Sequence, residues 1–244
     1  MLICAVVPVY NHGGAVGSVV ASLRAQALPC VLVDDGSDAD CAAVLDALTA
    51  ADEHVRLVRL PENRGKGGAM IAGLRAAREL GYSHALQIDA DGQHDSRDIP
   101  RFLELARAQP QALICGCPLY DENAPKSRRY GRYATHVWVW INTLSLQIAD
   151  AMCGFRVYPL AATVPLFDQA RLGLRMDFDV EVLVRLSWRG MRIVNLPTRV
   201  SYPLDGVSHF QLWRDNLRIS RMHAKLFFGM LPRLPLLLAR KAAR

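Results

Sequence analysis

The chain has 244 residues, 51% of them apolar, with 17 Gly, 13 Pro and 21% charged residues. That composition excludes a disordered or low-complexity chain and is large enough for one sizeable core. The net charge of +6 is uneven: residues 1–105 hold 9 Lys/Arg against 14 Asp/Glu, a balance of −5, and residues 106–244 hold 20 against 9, a balance of +11.

The apolar run Leu2–Val9 is too short for a signal-peptide core with its cleavage site and predicts a first buried strand. Ala15–Gln26 reads as a helix with Ser18, Ser22 and Arg24 on its polar side. Cys30–Val33 is a short strand running into Asp34-Asp-Gly-Ser37, and Asp40–Ala51 is a second helix. Val55–Leu60 predicts a third strand, followed by Pro61-Glu-Asn-Arg-Gly-Lys-Gly-Gly68. The Ala-rich helix Ala69–Leu80 stops at Gly81, and His84–Ile88 is a fourth strand. Strands alternating with helices argue for a mostly parallel sheet covered on both faces. Asn11, Asp34, Gly65 and Asp89 each follow a strand's carboxyl end, where open α/β sheets bind ligands.

The later chain is less regular. Ala112–Cys117 predicts a strand and Asp121–Tyr133 a charged loop. An apolar helix over Tyr133–Ile148, a strand over Ala151–Tyr158, an amphipathic helix over Asp177–Arg189 and a late strand over Arg192–Val200 follow. From Phe210 onward the chain carries eight Lys/Arg and one acid, Asp215. Apolar residues recur there at helical spacing, interrupted by Pro232 and Pro235. This predicts residues 1–210 as the folded domain and 211–244 as a basic amphipathic tail lying in a membrane interface. Packing of that tail on its own domain or on a second subunit is the alternative. No run approaches the roughly 18–20 apolar residues of a membrane span. The basic residues are not interleaved with a recognition motif, so nucleic acid is not an expected partner. The six cysteines form no C-x-x-C pair and predict buried, reduced thiols in a cytoplasmic protein.

The most informative run is Asp89-Ala-Asp-Gly-Gln-His94. Two carboxylates one residue apart on a strand tip repel each other unless a cation lies between them. Hard oxygen donors suit Mg²⁺ or Mn²⁺, which commonly hold a diphosphate. In Gly65-Lys-Gly-Gly68 the glycines let backbone N–H groups approach an anion, Lys66 adds a point charge, and a helix N-terminus follows. The spacing is not that of a Walker A loop, and Gly13-Gly-Ala-Val-Gly17 lacks the full dinucleotide fingerprint. Read alone, Asp34-Asp-Gly-Ser37 is an ordinary turn with a helix cap at Ser37 or Asp38.

Taken together, Pro8-Val-Tyr-Asn11, Asp34-Asp-Gly-Ser37, Glu62-Asn-Arg-Gly-Lys-Gly67 and Asp89-Ala-Asp-Gly-Gln-His94 resemble, in order and spacing, the motifs of the family 2 glycosyltransferases. Cys153-Gly-Phe-Arg156 looks like the Ser-Gly-Phe-Arg motif of the dolichyl- and polyprenyl-phosphate sugar transferases. The resemblance covers about residues 3–210 and implies a GT-A fold: a Rossmann-like, mostly parallel sheet with helices on both faces. It implies inverting transfer of a sugar from a UDP or GDP sugar to a lipid-type acceptor at the cytoplasmic face of a membrane. It places Pro8, Tyr10, Asn11, Asp34 and Asp35 on the nucleoside, and Gly65, Lys66 and Gly67 at the phosphates. Asp89, Asp91 and Gln93 would hold the metal, with His94 a further candidate. Arg128, Arg129, Arg132 and Arg156 would orient the acceptor, Arg156 with Asp150 as its ion-pair partner. If the acceptor is a hydroxyl, Asp179 is the candidate base from the cluster Asp177, Asp179 and Glu181. Otherwise these acids charge the first turn of a helix, worth about 0.3–1 kcal/mol each. The polyprenyl-phosphate enzymes often carry Arg-x-x-Gly-x-Ser-Lys after the last strand; here Tyr202-Pro-Leu-Asp-Gly-Val-Ser-His209 stands in that place, where Gly206 and Ser208 match, Asp205 does not, and His209 replaces the Lys. That departure leaves room for another lipid or a hydroxyl acceptor. A non-catalytic nucleotide-sugar binder is the rival from a different class.

Overall fold

The computed structural model describes residues 1–119, 126–200 and 212–242, with the side chains of 126–131 and 212–213 outside that set. In chain order the elements are β1 (Ile3–Val9), α1 (Gly13–Arg24), β2 (Cys30–Asp34), α2 (Ala39–Ala51), β3 (Val55–Arg59), α3 (Lys66–Glu79) and β4 (His84–Gln87). They continue with α4 (Ile99–Ala108), β5 (Leu113–Leu119), α5 (Lys126–Thr143), β6 (Arg156–Pro159), and the single turns α6 (Leu160–Thr163) and α7 (Leu166–Gln169). α8 (Phe178–Trp188), β7 (Ile193–Arg199), α9 (Leu212–Met230) and α10 (Leu234–Ala242) complete the order.

Among the described residues the strands form one seven-stranded sheet in the order β3-β2-β1-β4-β6-β5-β7. Pairing is parallel except around β6, which runs antiparallel to β4 and β5. The mostly parallel sheet expected from the sequence is therefore observed. Alternation along β1 sends Cys4 and Val6 into one core and Ile3, Ala5, Val7 and Val9 into the other. A strand buried on both faces needs apolar residues at every position, which is why Leu2–Val9 reads as an unbroken apolar run. Helices α1, α2 and α4 cover the second core. Helices α3, α8 and α9 cover the first, with Phe178, Leu183 and Leu226 fully buried.

Three boundaries differ from expectation. α5 begins at Lys126, inside the expected loop, because Lys and Arg are good helix formers and a helix's first turns need no apolar stripe. It ends at Thr143, where Leu144 takes φ +50° and cannot continue a right-handed helix. Residues 151–155 form no strand; Asp150 accepts hydrogen bonds from the N–H groups of Met152 (2.8 Å) and Cys153 (2.7 Å), and pairing starts at Arg156. The cysteines are reduced, and five of the six are buried, as expected.

The C-terminal segment lies against the domain. Met222, Leu226, Met230 and Leu237 are buried in the first core. Phe227 meets Trp138 of α5 edge-on at 6.3 Å, and Lys225 Nζ lies 2.9 Å from Glu181 Oε1 of α8. Among the described residues no helix is long and apolar enough to cross a membrane.

Candidate active site

The carboxyl ends of β1, β2, β3 and β4 converge on one edge of the sheet, and short loops tie them together. Asn11, with φ +56°, accepts at Oδ1 from Asp38 N–H (2.9 Å), and its own N–H donates to Ser37 Oγ (3.2 Å). Asp38 is the cap of α2, accepting from Cys41 N–H at 2.9 Å. Asp34 is 1% exposed; Ser37 N–H and Arg59 Nε donate to it, each at 2.9 Å. Burial alone would raise its carboxyl, but the Ser37 bonds and the Arg59 guanidinium outweigh burial and hold it below the usual carboxylate range. Asp35 accepts from Arg64 N–H at 2.7 Å, and burial pushes its carboxyl up despite that bond. Asp34 and Asp35 thus brace the turn from inside. Pro8, within β1, and Tyr10, just past it, stand half-buried on the same edge.

Gly65 precedes α3 with φ +82°, a conformation other residues rarely adopt, and a Cβ there would meet the Leu174 carbonyl at 2.5 Å. This tight turn brings Lys66 and Gly67 onto the first turn of α3. Lys66 Nζ lies 2.8 Å from Asp89 Oδ1 and 3.0 Å from Asp179 Oδ2, and it donates to Asp89 Oδ2 at 2.9 Å. Burial works against the ammonium, but Asp179 and Asp89 outweigh it and push the group above the usual lysine range. Lys66, with His94 Nε2 at 3.6 Å, overcomes the burial of Asp89 and holds that carboxyl well below the usual range. The backbone of Gly154 closes over this pair: a Cβ would lie 2.5 Å from Asp89 Oδ2 and 2.7 Å from Lys66 Nζ. Any side chain at residue 154 would separate the charges, which gives a physical reason for glycine in the Cys-Gly-Phe-Arg run.

Asp91 sits half-exposed one residue beyond Ala90, its Oδ1 accepting from Gln93 N–H at 3.0 Å. Asp89 Oδ1 is buried without an aligned hydrogen bond. Lys66 Nζ stands against that oxygen at 2.8 Å, so an ammonium occupies the place at Asp89 that a hard divalent cation would share, and Asp91 follows two residues later in the same loop. Among the described residues no three His, Cys, Asp or Glu side chains gather as a closed metal cage. The donors present suit a cation that also takes oxygens from a bound diphosphate.

The acceptor-side residues depart from expectation. Asp150 does not pair with Arg156. It takes Arg132 Nε at 2.8 Å and Nη2 at 2.9 Å, with His136 Nε2 at 3.3 Å. Asp150 faces α5 because it caps the turn leading into Cys153, whereas Arg156 lies on a central strand and points into the core beneath. Burial is outweighed by His136 and Arg132, and the Asp150 carboxyl is held well below the usual range. Arg156 is fully buried and donates to the carbonyls of Asp179 (2.7 Å) and Ala151 (2.8 Å). Arg128 and Arg129 lie on the first turns of α5, but their side chains are outside the described residues, as is the whole of Tyr202–His209.

Sequence reasoning missed Gln87 and Tyr158. Tyr158 Oη donates to Gln87 Oε1 at 2.9 Å, and Gln87 Nε2 donates to Asp179 Oδ1 at 3.1 Å. The signal available was a glutamine inside an otherwise apolar buried strand; the partner across β6, Arg156, is set by register alone. Of the three acids around α8, only Asp179 reaches the site. Glu181 accepts from Gly173 N–H (2.8 Å) and Arg185 (2.8 Å), and Asp177 accepts from Arg175 N–H (3.1 Å).

The Lys66–Asp89–Asp179 cluster, the Gly65 turn and the Asp89–Asp91 loop thus gather at the strand ends of an open α/β sheet, where such sheets bind ligands. The Glycosyl transferase family 2 model matches residues 4–161, and the chain belongs to that family. It is 30% identical over 205 residues to an undecaprenyl-phosphate mannosyltransferase of Micrococcus luteus, covering 81% of this chain and 82% of that one. It is 25% identical over 218 residues to the UDP-N-acetylglucosamine–dolichyl-phosphate N-acetylglucosaminyltransferase of Methanococcus voltae, covering 82% and 86%. The fold resembles glucosyl-3-phosphoglycerate synthase of Mycobacterium tuberculosis, solved with Mn²⁺ and UDP-glucose (TM-score 0.62, 17% identity, 95% of this chain and 78% of that one). It also resembles a Pyrobaculum calidifontis mannosyltransferase solved with GDP-mannose and Mn²⁺ (TM-score 0.58, 17% identity, 99% and 75%). The GT-A fold and the glycosyltransferase class expected from the motifs are thereby established.

Proposed function

We propose that this glycosyltransferase moves one sugar, with inversion, from a UDP or GDP sugar to a polyprenyl phosphate or similar lipid phosphate at the cytoplasmic face of a membrane. The Lys66–Asp89–Asp179 cluster carries the reading. It sets one cation between the buried carboxylate of Asp179 and the half-buried one of Asp89 at the strand ends, beside a glycine turn. Asn11, Asp34 and Asp35, with Pro8 and Tyr10, shape the nucleoside edge. The Gly65 N–H is held by Asp35, which fixes the turn, and Lys66 supplies charge on the diphosphate side. Asp89, Asp91 and Gln93 would hold Mg²⁺ or Mn²⁺, which when bound neutralises charge developing on the departing nucleoside diphosphate.

Asp179 engages Lys66 through one oxygen and Gln87 through the other, so neither is left aimed at an acceptor hydroxyl. A phosphate acceptor is already ionised at neutral pH and needs no base. This favours a phosphate over a hydroxyl acceptor and makes Asp179 an anchor for Lys66. Arg156, wholly buried, supports Asp179 from below. Arg128 and Arg129 remain the proposed partners of an acceptor phosphate, with Arg132 anchoring the start of α5 through Asp150. The relatives named for undecaprenyl and dolichyl phosphate point the same way. Sugar transfer to undecaprenyl phosphate and to undecaprenol, assayed with each donor, tests the reading. Product with the phosphate alone is expected; product with the alcohol would restore Asp179 as a base.

A further inference from the structure

Helices α5 and α9 enclose a groove of about 530 Å³, within the range of small-molecule sites. Trp138, Phe227, Phe228 and Ile219 form its apolar walls, and Ala224 stands at its mouth. Trp138 is 43% exposed and Phe228 68% exposed, so both aromatic rings reach the surface. His223 lines the same groove, is 5% exposed, and has no hydrogen-bond partner at either ring nitrogen. Thr135, Asn216 and Ser220 also line the groove, yet none hydrogen-bonds the imidazole; a neutral imidazole carries one donor and one acceptor, and leaving both buried and unmet is costly. Burial lowers the His223 pKa to about 4, so the ring is neutral at physiological pH.

The surface around the groove is basic. Along α9 the exposed apolar positions Leu217, Ala224 and Phe228 run beside Arg214, Arg218, Arg221 and Lys225 at helical spacing. The segment's single acid, Asp215, is buried and paired with Arg218 at 2.9 Å. An aromatic and leucine stripe bordered by cations matches the chemistry of an anionic bilayer interface. The groove starts one helical turn beyond Arg132, so a lipid held there would seat the acceptor side of the site against the bilayer.

We propose that the α5–α9 groove takes one acyl chain of an anionic glycerophospholipid from the bilayer, with His223 donating to its ester carbonyl. This deepens the membrane reading above. It assigns a resident phospholipid site, separate from the acceptor.

The test uses the full chain and vesicles of phosphatidylcholine with and without phosphatidylglycerol carrying brominated chains. Binding to the anionic vesicles with quenching of tryptophan fluorescence is expected, and Trp138→Phe should remove most of that quenching. Ala224→Phe, which fills the mouth, should weaken vesicle binding about tenfold, the equivalent of two methylenes left unburied, with nucleotide binding unchanged. Wild type should bind ester-linked phosphatidylglycerol about fivefold more tightly than its ether-linked counterpart, one hydrogen bond's worth, and His223→Phe should erase that preference. Unaltered binding by Ala224→Phe, quenching that survives Trp138→Phe, or no ester preference in wild type would overturn the groove and leave the membrane reading standing. No vesicle binding by wild type would overturn both. A shift of Ala224→Phe from dimer to monomer would assign the groove to a second copy of the chain instead.

Discussion

The two halves of the molecule build the site in different ways. In residues 1–119 the groups stand at the ends of successive strands, and several are held by neighbours close in sequence: Asp34 by Ser37, Asp38 by Cys41, Asp91 by Gln93. In residues 126–242 Asp179 and Arg156 reach the site through long-range contacts: Asp179 with Lys66, Arg156 beneath Asp179. The first half carries the motifs proposed for the donor edge. The second half carries the support beneath them and the residues proposed for the acceptor side, and its geometry exists only once the sheet has assembled.

The comparison breaks most visibly at the donor edge. Asp91→Ala should lower kcat/KM by about 10³-fold or more, the scale of losing a charge-stabilising group, with little change in unfolding midpoint. Activity and urea unfolding measured together would show this; a large loss of stability instead would make Asp91 structural. Lys66→Met should cost stability as well as activity, because it strands two carboxylates. A loss of about 3 kcal/mol, the low end for breaking a buried pair, is expected in urea unfolding, and Asp179→Asn in the same background should recover part of it.

Asp150 sharpens the comparison through pH. Its folded carboxyl is held below the ordinary value of about 3.9. Its contribution is therefore fully present above that value and is lost as pH falls from about 4 towards the folded value. Asp150→Asn should be less stable at neutral pH and should lack that portion of the acid loss. Parallel slopes for the two proteins below pH 4 would contradict the pairing with Arg132 and His136. Gly154→Ala should fold yet lose activity, because its Cβ would press on Asp89 and Lys66. Tyr158→Phe removes a hydroxyl that donates to Gln87 and accepts from Arg156 Nη1 at 3.3 Å, a loss of about 1–3 kcal/mol for the buried partners left unmet, readable as a shift in thermal midpoint.

Legibility in the sequence follows the same division. The parallel sheet, the four strand-end motifs and the Asp-x-Asp loop were readable because local spacing sets them. The reversed direction of β6 was not, since a four-residue apolar strand carries no mark of its orientation. Asp150 was assigned to Arg156 because the two are near in sequence. The structure pairs it with Arg132, eighteen residues earlier on α5. The lower tier of Gln87 and Tyr158 depends on cross-strand register, which one sequence does not encode locally. The tail was read as facing a membrane; the structure adds the face by which it packs on α5 and α8.

The central claim is that Asp89 and Asp91 build a metal-assisted nucleoside diphosphate site. Thermal stabilisation by UDP and by GDP, each with Mn²⁺ and then with excess EDTA, tests it most directly. The account predicts stabilisation by one of the two nucleotides, lost with EDTA and lost in Asp91→Ala. No stabilisation by either, or stabilisation that survives both EDTA and Asp91→Ala, would contradict it.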